Sequence, residues 1–178
     1  TNSAVNKNNL KKIKTAKKRI LKRAFFLFVV GLSYIVIWPA DILHFYGIYM
    51  IIALLLIQKK SITILYSAIA IVLTYPILIL FLNYELGWDF TTLEYADFWT
   101  FIGFFRNLFF NGFHPVIPWA AFMLVGLWFG KQNLTDTRFV KKVALVSFSI
   151  FILTQLISIF VITFLSDGNP ITTEELQS

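Results

Sequence analysis

Residues 17–60 read KKRILKRAFFLFVVGLSYIVIWPADILHFYGIYMIIALLLIQKK. A basic block, an apolar run, a Trp-Pro-Ala turn, a second apolar run and a second basic block follow one another. Two helices that leave a basic surface and return to it fit this order, because loops rich in Lys and Arg stay on the cytoplasmic side of a membrane. Extending the rule along the chain gives five apolar runs, about 24–39, 41–57, 62–82, 113–130 and 143–165. If each crosses once, 15 of the 16 Lys and Arg fall on one side, and only Arg106 falls on the other. The acids sort the opposite way: Asp41, Glu85, Asp89, Glu94, Asp97, Asp167, Glu174 and Glu175 lie on the Arg106 side and Asp136 does not. Adding or removing one span would put the later basic clusters on the wrong side.

The expected fold is therefore all-α: a polytopic membrane helix bundle with five transmembrane helices. The amino terminus is expected inside and the carboxyl terminus outside. Three segments follow: a basic segment over 1–23, a transmembrane domain over 24–166 with a long outer loop at 83–112, and an extracytoplasmic tail over 167–178. Residues 1–9 are polar and read as disordered. Residues 10–23 set Leu10, Ile13, Ile20 and Leu21 among lysines, as in an amphipathic helix on the inner surface. Both ends of the chain look cut, so further helices of the same protein are expected partners, beside the lipid bilayer.

Composition agrees. Hydrophobic residues make up 58% of the chain and charged ones 14%, against about a quarter charged in soluble domains. The net charge of +7 does not indicate nucleic acid, because the basic residues flank apolar runs instead of lining a soluble face. They suit an anionic inner leaflet. The absence of cysteine excludes disulfides and a cysteine nucleophile.

Within the outer loop, seven of the thirteen residues 98–110 are Phe or Trp. That segment reads as a helix at or dipping into the interface. Pro76 is expected to kink the third span. Gly126 and Gly130, four apart, are expected to admit a close helix neighbour.

Few polar residues fall at membrane depth, and each is a candidate site. Asp41 and His44 share a helix face three residues apart. The carboxylate can cap the second span and orient the histidine as a base. Arg106, with Asn107 beside it, should pair with a carboxylate, a substrate anion or a lipid phosphate; Asp89, Glu94 and Asp97 are the internal partners on offer. His114 opens the fourth span at a depth similar to His44. Two histidines and a carboxylate are ligand types for a metal, but there is no third histidine, so no metal is expected. Phosphate-gripping glycine loops, zinc-protease motifs and nucleophile elbows are absent.

Two passages carry a family resemblance. Lys18-Arg19-Ile20-Leu21-Lys22-Arg23 leads to Ala40-Asp41-Ile42-Leu43-His44-Phe45-Tyr46-Gly47, which resembles the DIL…Y passage of the YeiB-like bacterial membrane proteins. The run Gly112-Phe113-His114-Pro115-Val116-Ile117-Pro118-Trp119, followed by Gly126 and Gly130-Lys131, is similar to the same family's G-F/Y-H-P-x-x-P-W…G-x-x-x-G-R/K passage. These proteins resemble the heparan-α-glucosaminide N-acetyltransferase group. The resemblance implies a multi-span acyltransferase, with acyl-CoA as donor substrate and a sugar as acceptor. Ala40 departs from the family's usual glycine. The group's best catalytic histidine lies upstream of the matching passages, so neither His44 nor His114 inherits that role.

The leading expectation is thus an acyltransferase with Asp41, His44 and His114 as catalytic candidates and Arg106, Asn107 and Trp119 as substrate contacts at one outer mouth. A transporter, for which Pro76 and membrane-level His and Asp also speak, and a non-catalytic scaffold are the alternatives.

Overall fold

A computed structural model describes the backbone of residues 2–168 and the side chains of residues 11–164. The chain divides into two units, Thr1–Lys131 and Gln132–Ser178. The first holds α1 (Asn2–Tyr34), α2 (Leu43–Leu56), α3 (Ser61–Phe81), the strands β1 (Trp88–Asp89) and β2 (Glu94–Tyr95), α4 (Phe101–Arg106) and α5 (Val116–Phe129). The second is built on α6 (Thr137–Gly168). Most of the expected tail, from residue 169 on, lies outside the described residues.

Helix α1 corrects two expectations. It starts at Asn2, so residues 2–9 are helical and not disordered, and it runs on through Arg23-Ala24 without a break. No Gly or Pro occurs before Gly31, and once a helix is nucleated each further residue adds a hydrogen bond at little cost. It stops at Tyr34, five residues short of the expected Pro39. Proline cannot extend a helix, and it disfavours helical geometry at Trp38 before it.

Helices α2 and α3 lie within two residues of their expected positions, and α3 passes through Pro76. The aromatic segment forms α4 and continues as a π-helical turn over Asn107–Asn111. That helix and α5 meet at a 49° bend. Ile117, ahead of Pro118, leaves helical geometry (φ −101°, ψ 114°), as a residue before proline tends to. The all-α expectation missed one feature: β1 and β2 pair antiparallel, with Trp88 opposite Tyr95 and Asp89 opposite Glu94.

Among the described residues, α3 and Thr137–Phe164 of α6 are each long and apolar enough to cross a membrane; the bent pair makes a third if counted as one span. Helix α2, with 14 residues, is about 21 Å long, short of a ~30 Å hydrocarbon core. The count of five therefore rests on charge sorting and not on helix length.

Within the first unit, α5 packs against both α2 and α3, and α1 packs against α2. One core cluster joins Phe45, Tyr49, Leu108, Val116 and Ala120; another joins Ile64, Ala68, Ala121 and Leu124. Helices α1 and α2 approach closely through glycine. A Cβ on Gly47 would meet the Ala24 carbonyl at 2.7 Å. Gly126, in contrast, has nothing within 4 Å of an added Cβ, so the close contact expected there is not made within this unit.

Lys131 Nζ donates to the Lys59 carbonyl at 2.6 Å, and Lys17 Nζ donates to Gln58 Oε1 at 2.6 Å. Lysines from three segments thus gather at the carboxyl end of α2. Asp41 and His44 sit at its amino end.

Candidate functional site

Helix α2 begins on a carboxylate. Asp41 Oδ2 accepts from the backbone N–H of Leu43 at 2.9 Å and of His44 at 3.4 Å. These amides would otherwise be unpaired, as the first amides of any helix are. The same oxygen accepts from His44 Nδ1 at 3.1 Å. One carboxylate therefore caps the helix and holds a histidine ring. Asp41 is 5% exposed and His44 1%. A carboxylate only accepts, so Nδ1 is the donor and the neutral ring carries its lone pair on Nε2. Nε2 is buried and has no hydrogen-bond partner. A base oriented by a carboxylate, with its other nitrogen free, is the arrangement that general-base chemistry needs.

The packing of this pair depends on Gly31 of α1. A Cβ there would collide with the backbone N of His44 and lie 2.7 Å from Asp41 Oδ2.

His114 lies beyond the Phe45 ring, which meets His44 at 3.9 Å and His114 at 6.3 Å between centroids. The His114 carbonyl accepts from the Tyr49 hydroxyl at 2.5 Å. Its ring packs on Trp119 at 5.3 Å, and its Nδ1 is buried without a partner. His114 and Trp119 line a groove of about 600 Å³ between α2 and α5, with Tyr49, Met50 and Met123. The groove reaches Ile57 near the lysine-rich end, and its walls are mostly apolar.

Arg106 belongs to a different neighbourhood. Arg106 Nε donates to the Tyr95 hydroxyl at 2.7 Å, and its terminal nitrogen pairs with Asp97 Oδ2 at 2.5 Å. Of the partners open to it, the arginine has taken an internal carboxylate. Burial pushes the Tyr95 hydroxyl above its ordinary pKa; it stays protonated and donates to Asn111 Oδ1 at 2.8 Å. Asn111 is fully buried. Its amide donates to the carbonyls of Tyr84 and Leu86, and its own carbonyl accepts from Trp88 Nε1 at 2.6 Å. Asn111 thereby fastens the hairpin loop to the π-helical turn. Asn107 lines a second, smaller pocket walled by aromatic rings.

The single mouth expected from the sequence is thus divided. His44, held by Asp41, and His114 flank Phe45; Trp119 joins His114 in the groove; Arg106 serves the loop side; Asn107 stands between, its Oδ1 and the Phe45 ring both bordering Gly112. Sequence reading passed over Gly31, Tyr49 and Tyr95, and took Asn111 only as the first residue of the Asn111–Pro115 run considered with Arg106. Among the described residues no three His, Cys, Asp or Glu side chains converge as metal ligands.

Each unit holds an apolar helix of spanning length, and the first also holds a buried histidine bound to a carboxylate, the makings of a general-base site in a membrane protein. The chain belongs to the family described as heparan-alpha-glucosaminide N-acetyltransferase, catalytic, whose model matches residues 9–162. That membership gives it a membrane acyltransferase-like function. No curated protein and no solved structure matches it.

Proposed function

We propose that this protein transfers an acyl group from acyl-CoA to an envelope sugar or a similar acceptor, in the YeiB-like branch of its family and in a bacterial cytoplasmic membrane. The observation that carries the reading is the buried Asp41–His44 pair with its unpartnered Nε2, taken with family membership. In this reading the chain crosses the bilayer five times. The lysine-rich end faces the cytoplasm and the His44 end faces outward, as the charge rule requires.

The acceptor hydroxyl or amine gives its proton to a histidine nitrogen as it attacks the thioester carbonyl. A C–O or C–N bond forms, the C–S bond breaks, and the CoA thiolate leaves and takes up a proton. His44 is the first candidate base, because Asp41 fixes its tautomer and stabilises the imidazolium that forms. His114 is the second, at the end of the apolar groove where Trp119 offers a ring for an acceptor to stack on. Arg106 is already held by Asp97, so it acts through the loop it braces; an anionic acceptor would compete with Asp97 for it. Asn107 offers a polar contact on the loop side.

The test is acyl transfer from labelled acyl-CoA by the protein and by His44→Gln and His114→Gln. The base variant should lose about 10²- to 10⁴-fold. Unchanged rates in both would remove the histidines from the reaction.

A further inference from the structure

The aromatic pocket beside the hairpin shares no lining residue with the groove, and its wall residue Phe98 meets the His44 ring edge to face at 6.4 Å. Its volume is about 220 Å³, below the roughly 300–1,000 Å³ of drug-sized ligand sites, so it suits a compact group. Its walls include Trp88, Tyr95, Phe98, Trp99 and Phe113. Neighbouring rings stand nearly perpendicular. Trp88 meets Tyr95 at 84° and Phe113 at 80°, and Phe98 meets Trp99 at 86°. Five aromatic residues around one small space are the composition with which aromatic cages hold ammonium ions.

The charges around the pocket have the matching sign. Glu94 lines it, and Asp89 stands opposite Glu94 in the hairpin. The Thr91 backbone amide holds the Asp89 carboxyl below its ordinary pKa, so it stays ionised. The nearby cation, Arg106, lies over the Tyr95 ring at 5.5 Å and is neutralised by Asp97. Asn107, only 5% exposed, adds an amide to the pocket lining.

We propose that this cage binds a small organic ammonium group, the chemistry of a choline or ethanolamine head. Rings supply cation–π attraction, Glu94 and Asp89 supply negative potential, and Asn107 supplies an acceptor for an N–H. A lipid headgroup and a free amine share that chemistry. The site shares Asn107 with the loop-side contact of the proposed transfer reaction, but ammonium binding does not depend on that reaction.

The experiment is tryptophan fluorescence titration of the full chain with choline, since Trp88 and Trp99 line the pocket. The uncharged carbon isostere 3,3-dimethylbutan-1-ol is the control. Nanodiscs of phosphatidylglycerol and of phosphatidylcholine are run side by side. Saturable choline binding is expected in phosphatidylglycerol, with the isostere about 3- to 30-fold weaker. Glu94→Gln, on an exposed strand, and Trp99→Leu, 71% exposed, should fold normally and weaken choline by about 3- to 10-fold each. Loss of choline binding in phosphatidylcholine alone would mark a lipid headgroup as the occupant, whereas binding in both would mark a soluble ammonium. Equal binding of choline and its isostere, indifference to both substitutions, or no saturation in either disc would overturn the proposal.

Discussion

Replacing Gly31 by alanine changes no charge and removes no hydrogen bond, yet it should damage the histidine site. The new methyl would sit against the backbone N of His44, 2.7 Å from Asp41 Oδ2 and 2.9 Å from His44 Cβ. Gly31 lies inside α1, where alanine by itself favours the helix by about 1 kcal/mol. Forcing an extra carbon into a packed contact costs about 1–3 kcal/mol. The net expectation is a loss of about 0–2 kcal/mol. The obstructing atoms are backbone and a capping carboxylate, which cannot swing aside as the tip of a flexible side chain would. Relief must come from separating α1 from the start of α2. A displacement on the order of 1 Å at a catalytic group costs about 10²-fold in rate. Gly130→Ala is the matched control, because its Cβ would make only ordinary contacts at 3.6 Å. Thermal unfolding in detergent and acyl transfer are measured on both variants. If Gly31→Ala melts and turns over like Gly130→Ala, the close approach of α1 to the Asp41–His44 cap is wrong, and with it the account of how the pair is held.

Two further substitutions separate structure from chemistry. Asp41→Asn keeps an oxygen to cap Leu43 and His44 but loses the charge; stability should fall by about 1 kcal/mol while acyl transfer falls at least about 10²-fold, and a full rate would exclude the carboxylate from the reaction. Tyr95→Phe removes the hydroxyl that joins Arg106 to Asn111; hydrogen exchange over residues 84–97 should quicken by an amount matching about 1–3 kcal/mol, and unchanged protection would show that the loop is held by packing alone.

Much of the helical plan was legible because membrane helices are written in long unbroken runs. Runs 41–57 and 62–82 became α2 and α3 with ends shifted by two residues or fewer. The errors fell where local and longer-range effects compete. Residues 2–9 carry no apolar periodicity, yet they continue a helix already nucleated downstream. The hairpin was invisible because two paired residues on each strand are too few for an alternating pattern, and Trp88 and Tyr95 meet only when the loop closes. At the site, Asp41 and His44 could be paired from their spacing of three. The division of the mouth into groove and cage could not, since it depends on which way α4 and its π-helical turn aim Arg106, Asn107 and Asn111.

The sequence alone determined that the chain is mostly helical, that Lys and Arg flank the apolar runs, and that Asp41 stands three residues before His44, within reach of a helix's first turn. These follow from solvent preference and helix period, which act residue by residue. Tertiary structure alone decided that Gly31 of α1 makes room for the Asp41–His44 cap. It also decided that Phe45 brings His114 to the same pair, and that Asp97 takes Arg106 out of the mouth. Those outcomes are set by contacts between residues far apart in the chain, whose geometry no local pattern encodes.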